Sequence, residues 1–213
     1  MINLIIIYKN KYISITSLKN KYIFEIFEYL QYKTFFDTFL NNINVKDKNN
    51  FKITIYANEI NTLEFLLNNN RITEIDCKHI FLFLLKQLKS LEKYNLTIPV
   101  YNLKDIIYFK IGDKYSYYFL NLSYIFDTDK SKNIIIKKLF IKNEFASNEL
   151  QNLFEIPNTS ILSTASYWSL AKIVECSLKS MDKTLLDVKY SKLYWALKKC
   201  LEKNPKHRYL IFI

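Results

Sequence analysis

Residues 163–176 constrain the fold of this chain more than any other stretch. Tyr167, Leu170, Ala171, Val174 and, just beyond, Leu178 recur at helical spacing on one side, and Trp168 and Ile173 cover much of the rest. A helix apolar nearly all round has no wide face to give to water, so it must be buried. Ser163, Thr164 and Ser166 stand at its start, where hydroxyls are expected to cap the free N–H groups. The sequence therefore predicts a central buried helix late in the chain, with elements from both flanks packed on it.

The rest of the chain can supply that packing. Its 213 residues suit one domain, or one domain of two lobes, and 17 Tyr with 16 Phe provide bulky core side chains. The formal charge of +11 opens the possibility of nucleic acid or an anionic surface as partner. The positive charge, however, is nearly all lysine spread along the chain, and Arg71 and Arg208 are the arginines. Abundant Ile, Lys, Asn, Tyr and Phe beside 1 Gly and 3 Pro read as drift toward A/T-rich codons, which raises the lysine content without any phosphate ligand. Cys77, Cys176 and Cys200 are odd in number and lack paired spacing, which fits a reducing compartment. The apolar start lacks a basic region and a cleavage site, and the longest apolar run is too short for a bilayer. The expectation is a soluble, cytoplasmic protein with no membrane partner.

In chain order, Lys9-Asn10-Lys11-Tyr12-Ile13 recurs as Lys19-Asn20-Lys21-Tyr22-Ile23. Each copy joins two β-rich runs, and asparagine tolerates positive φ where glycine is scarce. Three antiparallel strands are predicted at 2–8, 11–18 and 22–27, turning at Asn10 and Asn20. Residues 28–43 read as an amphipathic helix around Tyr32, Phe35, Phe36, Phe39 and Leu40. Strands are predicted at 42–45 and 51–57, joined by a polar turn at 46–50. A polar connector at 58–61 leads to a short helix at 62–67 and a longer one at 80–91. A hairpin is predicted with strands at 106–111 and 117–122 around Gly112-Asp113-Lys114. Residues 123–144 read as a long polar loop of the kind that carries function. A last amphipathic helix, 192–203, ends in Asn204-Pro205-Lys206-His207-Arg208.

Three motifs and this element order resemble the protein kinase superfamily. Phe145-Ala146-Ser147-Asn148-Glu149 is similar to the Ala-Pro-Glu that ends the activation segment. Ser166-Tyr167-Trp168-Ser169-Leu170-Ala171 is similar to the Asp-x-Trp-Ser-Leu-Gly start of the buried F helix. Leu201-Glu202-Lys203-Asn204-Pro205-Lys206-His207-Arg208 is similar to the Leu-x-x-Asp-Pro-x-x-Arg that closes the helical lobe. The resemblance implies an α+β, two-lobed fold. A small five-stranded antiparallel lobe with one helix would span 1–57, and a mainly helical lobe, truncated at its end, would span 58–213. It also implies that Glu149 pairs with Arg208, a contact whose bidentate geometry lysine cannot supply, and that Ser166 and Trp168 are structural. The composition has the style of kinase-like proteins of large DNA viruses, which would place the chain in a host-cell cytoplasm or a virion.

The parts that carry phosphoryl transfer in that family are missing here. It needs a glycine-rich loop, a lysine on the third strand, a catalytic Asp, a metal-binding Asn and an Asp-Phe-Gly. The single glycine, Gly112, lies in the later hairpin, and Glu25 stands near the place of the lysine, where a carboxylate would repel phosphates. Val100 falls where the catalytic Asp would be, Asp105 where the Asn would be, and Asn121 where the Asp of Asp-Phe-Gly would be. Asn121 is a poor magnesium ligand. Ser166 replaces the acidic residue that holds the catalytic loop.

The resemblance thus implies a pseudokinase, a binding or scaffold module for a protein partner, with no confident catalytic residue, no metal site and doubtful ATP and magnesium binding. Glu25, Asp105 and Asn121 would line the cleft. Two alternatives stand beside it: an active atypical serine/threonine kinase with reassigned carboxylates (Asp105, Asp127 or Asp129), and a basic nucleic-acid-binding protein using the lysines of 130–142. His79, His207 and Cys77 read as structural, and the alternating aromatics Tyr115, Tyr117, Tyr118 and Phe119 as core packing.

Overall fold

The computed structural model describes residues 5–18, 21–26, 48–49, 52–137, 141–157 and 160–213. The class is α+β, built from small antiparallel sheets and several helices. Contacts divide the chain into two units, Met1–Phe65 with Lys104–Leu122, and Leu66–Leu103 with Ser123–Ile213. This departs from a boundary after residue 57, because the later hairpin joins the first unit.

The first unit contains a meander of β1 (Ile5–Lys9), β2 (Ile13–Leu18) and β3 (Lys21–Ile26). It continues through β5 (Lys52–Tyr56) to the two-residue β4 (Lys48–Asn49), in the order β1-β2-β3-β5-β4. Lys48 and Asn49, expected in a turn, pair instead with Ile53 and Lys52. The helix expected at 28–43, the strand at 42–45 and the turn at Asn20 lie outside the described residues.

A bulge between Ile6 and Tyr8 shifts the β1–β2 register, so that Ile6 faces Thr16 but Tyr8 faces Ile15. Bulges re-aim side chains, and here Ile5 and Ile6 are exposed whereas Tyr8 is buried. The turn after β1 does not rely on a left-handed backbone at Asn10, which is absent from the positive-φ residues. Its Oδ1 instead accepts from the amides of Tyr12 and Ile13, each at 2.8 Å, so the side chain builds the turn.

A second sheet in the same unit has the order β6 (Glu59–Thr62), β8 (Ile106–Ile111), β9 (Lys114–Phe119). The polar connector expected at 58–61 is thus mostly a strand: main-chain pairing with β8 outweighs its low β propensity. Strand β9 begins and ends three residues earlier than expected, because the turn needs only Gly112 at φ +60° and Asp113. Phe24 of β3 stacks on Phe109 of β8 at 5.6 Å, both fully buried. Tyr117, Tyr118 and Phe119 are buried as expected of core residues.

In the second unit, α2 (Glu74–Glu92) begins six residues before the apolar stripe, at a capping box. Thr73 accepts from the amide of Asp76, and Asp76 accepts from the amide of Thr73 at 2.9 Å. The preceding α1 (Leu63–Asn68) stops at Asn70, which takes φ +50°. The amides of Asn70 and Arg71 then donate to Leu67 and Leu66 at 3.1 and 2.9 Å. This is a Schellman stop with asparagine in glycine's place, and Asp182 does the same after the helix Ala165–Lys179, at φ +56°. Residues 123–137 are not the open loop expected. Strand β10 (Phe126–Asp127) pairs with β7 (Leu96–Thr97), and Tyr124, Phe126, Ile134 and Ile136 are buried.

The core of this unit is α4 (Ala165–Lys179), packed against α2 and α5 (Lys192–Cys200), with the one-turn α3 (Asn148–Gln151) earlier in the chain. Among α4 residues only Lys179 is exposed. Its serine and threonine hydroxyls do not cap it. The residue before the helix, Thr164, makes no side-chain cap bond and donates to the carbonyl of Pro205 at 2.8 Å. Ser166 donates to the carbonyl of Ser163. No helix among the described residues is long and apolar enough to cross a membrane.

Candidate functional site

Two clusters, one in each unit, bring together residues singled out from the sequence. The first lies at the open end of the β8–β9 hairpin. The register pairs Ile106 with Phe119, and the amide of Leu120 donates to the carbonyl of Asp105 at 2.9 Å. The hairpin itself thus brings Asp105 and Asn121 together, although 16 residues separate them. Asp105 is 2 % exposed. Its Oδ1 accepts from the Tyr8 hydroxyl at 2.8 Å, and its Oδ2 from Nδ2 of Asn121 at 3.0 Å. Nδ2 of Asn10 donates in turn to the Tyr8 hydroxyl at 2.7 Å and to the carbonyl of Leu120 at 3.2 Å.

Burial disfavours charge on Asp105 and lifts its carboxyl above the ordinary carboxylate value. The donors on Asn121 and Tyr8 and the Lys104 charge oppose that lift only in part. Burial, and then the neighbouring carboxylate, push the Tyr8 hydroxyl far up as well. The network gives a buried carboxyl whose two oxygens each accept from a donor. It suits a structural role at the junction of the β1–β2 turn and the hairpin.

These residues do not fit a magnesium–nucleotide centre. A hard cation needs charged oxygens that it can reach. Here the acidic group is buried, engaged by two donors and biased toward its neutral form, and its neighbour Asn121 presents an amide nitrogen to it. The turn between β1 and β2 holds Asn10, whose side chain occupies the amides of Tyr12 and Ile13. Glu25 sits in β3 opposite Ser14 and Lys52, half-buried. Val100 is fully buried in the second unit. Of the other carboxylates weighed, Asp127 is exposed in β10. Asp129 accepts from the amide and Nδ2 of Asn133 at 2.8 and 3.0 Å, and the amide bond holds it below the ordinary range.

The second cluster joins Glu149, Trp168 and Arg208. The Arg208 side chain is 1 % exposed and grips both oxygens of Glu149, the second at 3.2 Å. Its Nε donates to the carbonyl of Glu202 at 2.8 Å and Nη2 to that of Lys203 at 3.3 Å. The guanidinium lies 4.9 Å from the centre of the Trp168 ring. One planar group thus ties α3, the start of α4 and the segment after α5, a task for a fork of five donors rather than an ammonium.

Sequence reasoning placed Asn10 in a turn and Ser169 in a motif, but it gave neither them nor Tyr8 these long-range bonds. Ser166, singled out for its place in the F-helix motif, meets the Thr97 hydroxyl at 3.0 Å and otherwise its own turn, among the described residues. Ser169, one turn on, accepts from the amide of Tyr101 at 2.9 Å and so holds the segment that follows Val100. Asn143 donates to the carbonyl of Tyr101 at 2.8 Å from the other side. The signal was a serine inside an otherwise apolar helix, since a buried hydroxyl needs a partner. Half-buried His79 stands edge-on to Phe83 at 6.4 Å, and His207 is exposed. Burial pushes the Cys77 thiol up to about 12, the opposite of a reactive or ligating thiolate.

No family model matches the chain, and no curated protein matches it.

Proposed function

We propose that this chain is a protein-kinase-like domain that has lost phosphoryl transfer and serves as a binding or scaffold module, a pseudokinase. The observation that carries the reading is the closed network at Asp105. Where the resemblance implies two metal ligands and a phosphate-binding turn, Asp105, Asn121, Tyr8 and Asn10 are bonded to one another. Their hydrogen-bonding capacity goes into holding the turn and the hairpin together. The ion pair of Glu149 with Arg208, on the face of Trp168, supports the scaffold half of the reading. It is a costly, geometrically demanding contact at the two motif positions the resemblance pairs.

The test is to titrate the full chain with ATP and magnesium while following its melting temperature, and to assay phosphate transfer to itself and to a generic protein substrate. The expected result is no transfer and no shift in melting. A clear shift accompanied by transfer that disappears in Asp105→Ala would refute the reading and establish an active enzyme with a reassigned carboxylate.

A further inference from the structure

Helix α5 starts at Ser191, which accepts from the amide of Tyr194 at 3.2 Å and is therefore its N-cap. Tyr190 and Trp195 then occupy the positions just before the cap and four residues into the helix. Apolar residues at these two places usually close on each other as a hydrophobic staple. Here they do not: Tyr190 is 96 % exposed and Trp195 52 %. Leu186, in the short helical turn that packs on α5, adds a side chain 70 % exposed. The fold leaves this apolar surface uncovered.

Three exposed lysines flank it, beside the exposed carboxylates of Asp187 and Glu74. The Lys189 ammonium lies 5.8 Å from the centre of the Tyr190 ring and that of Lys198 lies 5.3 Å from the Trp195 ring, while Lys192 is exposed between them in sequence. No carboxylate pairs with these three among the described residues. The nearby acids are engaged elsewhere. Asp187 accepts from the amide and hydroxyl of Thr184, and Glu202 pairs with Lys199 at 3.5 Å. The ring–ammonium contacts set the exposed heads of Lys189 and Lys198 beside the apolar rings.

We propose that this face is a docking surface for an acidic polypeptide segment that carries aromatic or aliphatic anchors, a partner class that deepens and rests on the reading of the chain as a binding module. Charge complementarity selects the acidic partner and an open staple selects the apolar anchor. A single-stranded nucleic acid fits less well. Trp195 already has Lys198 over its ring and Tyr194 edge-on at 5.1 Å, so a flat stacking platform is not on offer. The cations are lysines, not the guanidinium forks that grip phosphates.

The experiment measures binding of the full chain to three fluorescent probes at low salt. They are a short peptide alternating Asp, Glu and Phe, the same peptide with Ser for Phe, and an oligouridylate of equal charge. The phenylalanine peptide is expected to bind, the serine peptide more weakly. Trp195→Ala and the double variant Lys192→Glu/Lys198→Glu are each expected to weaken the first by about tenfold or more. The double variant alters only exposed lysines, so it keeps the test valid if Trp195→Ala lowers the melting temperature. Absence of peptide binding, an affinity in both variants unchanged from the parent, or tighter oligouridylate binding that the same variants abolish would overturn the proposal. Loss of the surface without phosphate transfer leaves the module reading standing; phosphate transfer with peptide binding intact removes that reading and leaves the surface.

Discussion

Replacing Arg208 is the sharpest probe of how the second unit is held. The guanidinium makes two bonds to Glu149 and one each to the carbonyls of Glu202 and Lys203, and it covers one face of Trp168. Bonds to charged groups contribute about 1.5–3 kcal/mol each, but Arg208→Ala does not lose their sum. The Glu149 side chain is 20 % exposed and regains some water once its partner is gone. The expected loss is about 3–4 kcal/mol, at the lower end for breaking a buried pair. Arg208→Lys should lose about 2 kcal/mol, because one ammonium cannot span Glu149 and the two carbonyls together. Urea denaturation reads both, in a Trp195→Phe background so that Trp168 is the sole indole reporter. The double cycle with Glu149→Gln should give a coupling of about 1.5 kcal/mol or more. A loss under about 1 kcal/mol in Arg208→Ala, or zero coupling, would mean that the pair behaves like an ordinary surface contact, and the argument from burial would fail.

Other expectations follow from single contacts. Ser169→Ala leaves the amide of Tyr101 without its acceptor and should cost about 1–3 kcal/mol at an unchanged urea slope; a neutral substitution would remove Ser169 as the anchor of that segment. Asp105→Asn tests the buried carboxyl through pH. The raised folded value means that the folded protein keeps a proton that the unfolded chain releases above about pH 4. Stability from this group is complete below that pH and falls as pH rises toward the folded value. The stability of the variant relative to the parent should therefore climb with pH and then level off, and parallel curves would contradict the assignment. Tyr8→Phe should destabilise by about 1–3 kcal/mol, since it takes one donor from Asp105 and one acceptor from Asn10; an unaltered melting temperature would show that the network does not hold the turn.

Local pattern and composition determined a good deal of this protein. The apolar run of 163–176 required a buried helix whatever surrounded it, because too few of its side chains could face water. The repeat around Asn10, the stripe of α2 and the lone glycine of the β8–β9 turn were legible for the same reason: period and turn chemistry act over a few residues. Arg208, kept as arginine in a lysine-rich chain, announced a contact that lysine cannot make. The resemblance named Glu149 as its partner, and the fold supplies the bond. What the tertiary structure alone decided were the contacts that depend on long-range register. Residues 59–62 look polar yet form a strand, because β8 offers them a complete main-chain ladder. The hydroxyls of Ser163, Thr164 and Ser166 look like caps, yet Pro205 and Thr97 take two of them. Asp105, expected to line a cleft, is instead buried, because the bulge in β1 turns Tyr8 inward and the hairpin brings Asn121 beside it. A residue's type shows what it can bond to, but only the packed chain shows which of those partners lies within 3 Å.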